Sequence, residues 1–232
     1  MQLVHGLIYF ITHIREVLTG WAQSFGTGVY FLMFLIVFAE TGLVVTPFLP
    51  GDSLLFAAGI LSATGPKGPP VLNVWLSCLT FLLAAFVGDN VNYWFGRELG
   101  PRMLKNENSK IFRKSYLDNT KEFFTDYGSS AVILARFVPI VRTFAPFMAG
   151  VGHMNYGRYI AYSFAGSVMW VGVFVSLGYF LGSLQFVQDH FEWALVVMVL
   201  ISLLPALYHY AQGRIKASKA AAQGASSSGD AE

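Results

Sequence analysis

Two arginines lie inside a stretch of the sequence that is otherwise apolar enough to be buried in a membrane. The stretch is 131–150, and it holds Arg136, Arg142 and two prolines, Pro139 and Pro146, on either side of the second arginine. A charged side chain at the centre of a bilayer costs about 2.5–3.5 kcal/mol on insertion scales, so it usually marks a transport pathway or a buried partner. Irregular backbone at membrane depth is tolerated only where it lines a cavity or packs against protein. The sequence therefore predicts that this broken segment carries the functional site.

The composition indicates an integral membrane protein. Of the 232 residues, 55% are hydrophobic and 12% are charged, whereas a soluble domain carries about 25% charged residues. The net charge of +2 gives no reason to expect a nucleic-acid partner. The single cysteine, Cys78, leaves no disulfide framework and no thiolate metal site. Because no metalloprotease, serine-hydrolase, P-loop or dinucleotide motif is present either, we expect no metal, no cofactor and no enzymatic activity.

The order of apolar runs predicts an all-α polytopic membrane protein. Residues 1–24 are expected to form an interfacial or membrane helix, 25–212 a membrane transport domain, and 213–232 a basic, disordered tail. In chain order the domain shows a broken apolar run at 28–63, a span at 71–95, a basic amphipathic segment at 97–127, a second broken run at 129–151, and spans at about 157–182 and 191–211. The tryptophans mostly fall near span ends, as an interfacial belt would place them: Trp21, Trp75, Trp94, Trp170 and Trp193.

The distribution of positive charge sets the predicted orientation. The segment 97–127 holds seven of the fifteen basic residues, so it should be cytoplasmic, as should the basic C-terminus. The run 28–63 then enters the membrane from outside and the run 129–151 from inside, as two opposed re-entrant helical hairpins. Oppositely inserted broken segments are typical of transporters built from inverted repeats.

A weak internal echo accompanies this arrangement. Phe48-Leu49-Pro50-Gly51-Asp52 with Ala58-Gly59 resembles Phe137-Val138-Pro139 with Ala149-Gly150. Each is followed by a span that ends Gly-x-x-Leu-Gly, at 96–100 and at 178–182. The spacings differ, so a true repeat and chance similarity among apolar residues both stay open. The glycines of these spans are more typical of close helix packing than of a binding site. They are Gly88, Gly96, Gly100, Gly172, Gly178 and Gly182.

Two carboxylates of the first broken run offer partners to the arginines of the second. Glu40 lies within an apolar run, and Asp52 follows the Pro-Gly pair that breaks it. A carboxylate buried in a membrane is either neutral or paired with a cation. We therefore predict that Glu40 and Asp52 face Arg136 and Arg142 across a small polar cavity. A proton on either acid would release an arginine, whose planar fork suits phosphate oxygens.

The same residues also allow structural interpretations. Asp52 could cap the helix that follows it, and the two arginines could be static ion-pair partners that hold the fold. Asp89 lies near the cytoplasmic end of its span, where Asn90, Asn92 and Arg97 could solvate it. We therefore expect Asp89 and Asn92 to have a supporting, mainly structural role.

Several motifs taken together resemble the DedA family of bacterial inner-membrane proteins. They are Glu40-Thr41-Gly42-Leu43, Pro47-Phe48-Leu49-Pro50-Gly51-Asp52-Ser53-Leu54-Leu55, Gly88-Asp89-x-x-Asn92-Tyr93 and Ala135-Arg136-Phe137-Val138-Pro139-Ile140-Val141-Arg142-Thr143. The resemblance implies two opposed re-entrant hairpins, a distant relationship to eukaryotic lipid scramblases, and transport driven by the proton motive force. It also implies a lipid-phosphate substrate, such as the undecaprenyl phosphate that some members of the family return across the membrane. The resemblance also implies that Glu40, Asp52, Arg136 and Arg142 are functional positions.

From the residues and the resemblance together we expect a multi-pass transporter of the bacterial inner (plasma) membrane. It would move a lipid-linked phosphate, undecaprenyl phosphate above all, with Arg136 and Arg142 binding the substrate and Glu40 and Asp52 carrying the proton. Its partners would be a polyprenyl phosphate or phospholipid, protons and membrane lipids. An uncoupled phospholipid scramblase and a non-transporting envelope assembly factor stay open as alternatives, and the sequence leaves the oligomeric state open.

Overall fold

The computed structural model of the protein describes residues 13–42, 51–65, 68–103, 124–191 and 193–198. Within these ranges the chain is helical, and its extended structure is limited to an isolated bridge between Gly65 and Gly68. The predicted all-α class is therefore confirmed for the described residues. The helices are α1 (Ile14–Phe25), α2 (Gly28–Gly42), α3 (Gly51–Ser62), α4 (Val74–Met103), α5 (Ala131–Ala135), α6 (Pro139–Val151), α7 (Tyr156–Gly182) and α8 (Gln185–Asp189).

Two of the helices are long and apolar enough to cross a membrane, over Val74–Leu99 in α4 and over Tyr156–Gly182 in α7. A helix of this length rises about 39 Å, which exceeds the ~30 Å hydrocarbon core of a bilayer. The predicted span 157–182 matches α7 closely. The predicted span 71–95 is too short, because α4 continues to Met103. The charged residues after 95 end the apolar stretch, but Arg, Glu and Leu are good helix formers and the backbone stays helical.

The described parts of the two broken apolar runs are short helices. In the first run α2 and α3 flank 43–50, and the predicted break there lies outside the described residues. In the second run the chain leaves the helix at 136–138 between α5 and α6, as predicted. Pro139 begins α6, where its fixed φ suits the first turn, whereas Pro146 lies inside α6 and does not end it. The re-entrant insertion of the two runs and their inverted repeat stay predictions.

Several other predicted segments fall partly outside the described ranges. Helix α1 accounts for the second half of the segment 1–24, and whether it crosses the membrane stays open. The helical residues 193–198 begin the span predicted at 191–211. Most of the basic segment 97–127 and the whole tail 213–232 lie outside the described residues, so the predicted domain boundaries are untested.

Helix packing depends on glycines whose positions leave no room for a Cβ. A Cβ at Gly59 of α3 would overlap the backbone carbonyl oxygen of Val175 in α7, and one at Gly178 of α7 would overlap that of Phe56 in α3. The same reciprocal contact joins α4 to α6, where a Cβ at Gly96 would overlap Phe147 O and one at Gly150 would overlap Tyr93 O. These close crossings confirm the packing role that the sequence predicts for Gly96 and Gly178, whereas a Cβ at Gly172 would meet open space.

Helix α3 lies at the centre of the hydrophobic core. Every residue of this twelve-residue helix except Asp52 is buried, and its neighbours are chiefly α7 and, less closely, α4 and α1. The outer faces of α4 and α7 instead expose large apolar side chains, such as Trp75, Leu79, Phe164 and Val168. The exposed apolar faces of the two candidate spans suit contact with lipid. Because α3 is enclosed by other helices, it holds Asp52 in a fixed place.

Candidate functional site

Arg142 and two carboxylates form the centre of the site. Arg142 lies in the first turn of α6, and its guanidinium reaches back to both acids of the first broken run. Its Nη1 donates to Asp52 Oδ1 at 2.5 Å, and its Nη2 donates to Glu40 Oε1. Glu40 is 1% exposed. The structure thus brings together three of the four predicted residues, with one arginine bridging both acids.

Arg136 has a different partner from the one the sequence predicts. It follows α5 directly, and its Nη2 donates to Asp89 Oδ2 in the middle of α4. Asp89 also accepts a hydrogen bond from Ser163 Oγ of α7 at 2.6 Å. Asn90, Asn92 and Arg97, which the sequence offers as solvating neighbours, are not its partners in these contacts, and Asp89 is buried against Arg136. Arg136 lies 47 positions from Asp89 in the sequence, so a search among the sequence neighbours of Asp89 does not find it.

Trp170 of α7 lies between the two ion-paired arginines. Its indole ring has the Arg136 guanidinium 5.9 Å from the ring centroid and the Arg142 guanidinium 5.6 Å away. Its Nε1 donates to Asp52 Oδ1 at 3.0 Å. The prediction that Trp170 belongs to an interfacial belt is therefore wrong: the side chain is 2% exposed and central. The sequence held one signal against this prediction: Trp170 lies near the middle of the helix Tyr156–Gly182, whereas a belt residue would lie near an end.

Asn92 joins the two broken runs from the side of α4. Its Nδ2 donates to the backbone carbonyl oxygens of Thr41, near the end of α2, at 3.1 Å and of Thr143, in α6, at 2.8 Å. Each of these carbonyls lies one residue from a charged member of the site, Glu40 or Arg142. The supporting role predicted for Asn92 therefore has a defined geometry, and the role itself stays a prediction.

Glycine at position 51 leaves space for Glu40. A Cβ there would overlap Glu40 Oε2, so any larger residue at the start of α3 would displace the carboxylate. Asp52 follows in the first turn of α3, and its carboxylate turns to Arg142 and Trp170. The alternative in which Asp52 serves as the N-cap does not describe this helix, which already includes Gly51.

A small polar cavity connects the two ion pairs. Its volume is about 10 Å³, and its walls are formed by seven residues: Glu40, Thr41, Asp89, Arg136, Arg142, Thr143 and Trp170. A cavity of this size has room for about one water molecule. The predicted cavity between acids and arginines is thus present in a form too small for a phosphate group. Among the described residues no group of three His, Cys, Asp or Glu side chains comes together as metal ligands would, and the expectation of no metal or cofactor is untested.

A helical fold with charged residues buried among its apolar helices defines a class, the α-helical integral membrane proteins. Residues 49–180 match the VTT domain. The chain is 48% identical over 221 residues to the protein DedA of Escherichia coli K12, which covers 95% of this chain and all of that protein. It is 36% identical over 171 residues to the inner membrane protein YqjA of the same bacterium, covering 70% of this chain and 75% of YqjA.

A third relative is an uncharacterized membrane protein of Mycobacterium tuberculosis, 44% identical over 183 residues, or 79% of each chain. No solved structure matches the chain significantly. The protein therefore belongs to the DedA family of membrane proteins, whose shared unit is the VTT domain. The family resemblance seen in the sequence motifs is confirmed.

Proposed function

We propose that the protein is a proton-driven transporter of a lipid-linked phosphate, undecaprenyl phosphate above all, in the bacterial inner membrane. The observation that carries the proposal is the bridging of Glu40 and Asp52 by Arg142 within a buried site. A guanidinium in this position has its Nη groups occupied by carboxylates, and a phosphate monoester offers oxygens of the same geometry. Substrate and acids therefore compete for the same donors.

The charge of the site supports proton coupling. Three carboxylates, Glu40, Asp52 and Asp89, face two guanidinium groups, Arg136 and Arg142. With every group ionised the site carries one uncompensated negative charge, which is costly in a buried place. One bound proton balances the charges. We assign that proton to Glu40, the more buried of the two acids on Arg142.

These two features give a transport cycle. When Glu40 is protonated, its hold on Arg142 Nη2 weakens, and a phosphate oxygen takes its place on that donor. When Glu40 loses the proton, its carboxylate recaptures Arg142 and displaces the phosphate. The contact of both acids with Arg142 and the cavity volume of about 10 Å³ support a state of the cycle in which the phosphate is excluded.

The proposed transporter would have two re-entrant runs related by an inverted repeat, with the C-terminus in the cytoplasm. The reciprocal glycine contacts support this symmetry. Gly59 and Gly150 are equivalent in the internal echo, as are Gly96 and Gly178, and the packing pairs each with a member of the other half: Gly59 with Gly178, and Gly150 with Gly96. In an inverted repeat, each contact between the two halves occurs twice, with the halves exchanging roles, as these two glycine contacts do.

Reconstitution into liposomes tests the proposal. Purified protein is incorporated with a fluorescent polyprenyl phosphate, and its movement between leaflets is followed with and without an imposed pH gradient. We expect movement that responds to the gradient and is lost in Arg142→Ala. Movement that ignores the gradient would identify the uncoupled scramblase instead, and no movement at all would favour the assembly factor.

A further inference from the structure

A deep apolar groove begins at the charged site and follows α7 away from it. Its volume is about 600 Å³. Asp52 and Arg136 form its polar end, and Val173, Leu177 and Leu181 of α7 line it over about 12 Å of helix. The far side is formed by α8 and the helical residues 193–198.

We propose that this groove holds the hydrocarbon chain of a single-chain isoprenoid phosphate whose phosphate lies between Arg136, at the end of the groove, and Arg142. The groove is then the tail-binding part of the transport site. The inference rests on the proposed function for its phosphate, and adds the place where the lipid is held and the kind of chain that fits.

The hydrogen-bonding groups at the polar end select a phosphate lipid as the occupant. An apolar surface alone would accept any membrane lipid, but this groove ends at Asp52, which is already paired with Arg142, and at the guanidinium of Arg136. Arg136 lines both the groove and the small polar cavity. It is 7% exposed, and among the described residues its Nε has no hydrogen-bond acceptor. A buried donor without an acceptor is costly, and a phosphate oxygen supplies one.

The volume of the groove selects one chain rather than two. A methylene group is close in size to a water molecule, which takes roughly 30 Å³ in the liquid, so 600 Å³ holds about twenty carbons. About twenty carbons suit the phosphate-proximal part of one isoprenoid chain, whereas two acyl chains lying side by side would each have room for only about half that length. Aromatic side chains, including Phe56, Phe174 and Trp193, give the groove flat walls against which a methyl-branched chain can pack.

A photoactivatable polyprenyl phosphate, with the reactive group on its chain, tests the assignment in the full-length protein in lipid nanodiscs. Crosslinked residues are mapped by mass spectrometry in the wild type. We expect them at Phe56, Phe137 and within 173–198, where the groove-lining residues lie. We expect displacement by unlabelled polyprenyl phosphate to be at least tenfold more effective than by two-chain phosphatidate or neutral polyprenol, since one group in a binding pocket changes affinity roughly tenfold or more.

Two variants of α7 provide a matched comparison. Val173 lines the groove and is 43% exposed, whereas Val168 is 46% exposed on the same helix and does not line it. We expect Val173→Trp to weaken crosslinking about tenfold and Val168→Trp to leave it unchanged. Size-exclusion profiles are the check that both variants are folded. The crosslink map of the wild type tests the position of the lipid chain without any variant.

The outcomes separate the groove from the transport function. Specific crosslinks that disappear in Arg142→Ala but map away from Phe56, Phe137 and 173–198, or that survive in folded Val173→Trp, would overturn the groove while leaving the phosphate site standing. Equal displacement by phosphatidate would overturn the single-chain assignment. If the wild type gave no crosslink that unlabelled polyprenyl phosphate displaces, the proposed function itself would fall, and the groove with it.

Discussion

Arg142 Nη1 donates a hydrogen bond to Asp52 Oδ1 at 2.5 Å, although the two residues are 90 positions apart in the sequence. The bond ties the first turn of α6 to the first turn of α3. The turn of α6 directly follows the break at 136–138, and the second donor of Arg142 goes to Glu40 in α2. One guanidinium therefore connects both broken runs, and the predictions below start from it.

Arg142→Lys should strongly slow transport even though it keeps the positive charge. A lysine ammonium is a single donor centre and cannot reproduce a planar fork that holds Asp52 and Glu40 at once. Losing one charge-assisted hydrogen bond is worth roughly 1.5–3 kcal/mol, so we expect at least about a tenfold fall in the rate of lipid movement in liposomes. Arg158→Lys, an exposed position on α7, is the matched control and should behave like the wild type.

Asp89→Asn should destabilise the protein because it leaves Arg136 as an unpaired buried charge. Breaking a buried pair by removing one partner costs about 3–5 kcal/mol. Thermal unfolding in detergent should show a clear drop in Tm. The double variant Asp89→Asn/Arg136→Gln removes both charges and should recover much of that stability while remaining inactive. A double variant that transports at the wild-type rate would show that Arg136 does not bind substrate.

Trp170→Phe should slow transport without unfolding the protein. Phenylalanine keeps an aromatic ring between the two guanidinium groups but loses the Nε1 donor to Asp52. With a charged acceptor the lost bond is worth roughly 1.5–3 kcal/mol, and the activity assay should register a fall of about tenfold or more. Trp75→Phe, at a tryptophan that is 80% exposed, should have no effect. Equal activity of both variants would mean that the indole N–H is dispensable.

Gly178→Ala should destabilise the crossing of α3 and α7. The new Cβ would overlap the backbone carbonyl oxygen of Phe56, and backbone cannot move aside as a side chain can. Overpacking of this kind costs about 1–3 kcal/mol. Gly172→Ala on the same helix has open space around the new methyl group and should be neutral or slightly stabilising, because alanine favours helix. Similar Tm values for the two variants would contradict the close crossing.

The helices that follow from hydrophobic periodicity and length were the most predictable part of the fold. Helix α7 agrees with its prediction almost to the residue, because a long apolar run ends there in a turn. Helix α4 extends past the end of its apolar run. Hydropathy predicts where a helix leaves the membrane, but it does not predict where the backbone hydrogen bonding of the helix ends. The break before Pro139 was also predictable, because proline cannot continue a preceding helix.

The candidate site was predictable as a set of residues but not as a set of pairs. Glu40, Asp52, Arg136 and Arg142 were identified because buried charge is rare in apolar sequence. Their pairing depends on how helices cross, and so the Arg136–Asp89 bond was missed. Trp170 was missed for a related reason: tryptophan is common at membrane interfaces, and only the three-dimensional contacts place this one between two guanidinium groups.

In the proposed cycle a proton and Arg142 compete for the carboxylate of Glu40, and the outcome decides whether Arg142 is free to bind phosphate. The most direct measurement is polyprenyl phosphate movement in liposomes, with and without a pH gradient, for the wild type, Glu40→Gln and the exposed control Glu98→Gln. We predict that the gradient changes the rate for the wild type and for Glu98→Gln but not for Glu40→Gln, which stays permanently neutral at that position. An unchanged response to the gradient in Glu40→Gln would contradict the account.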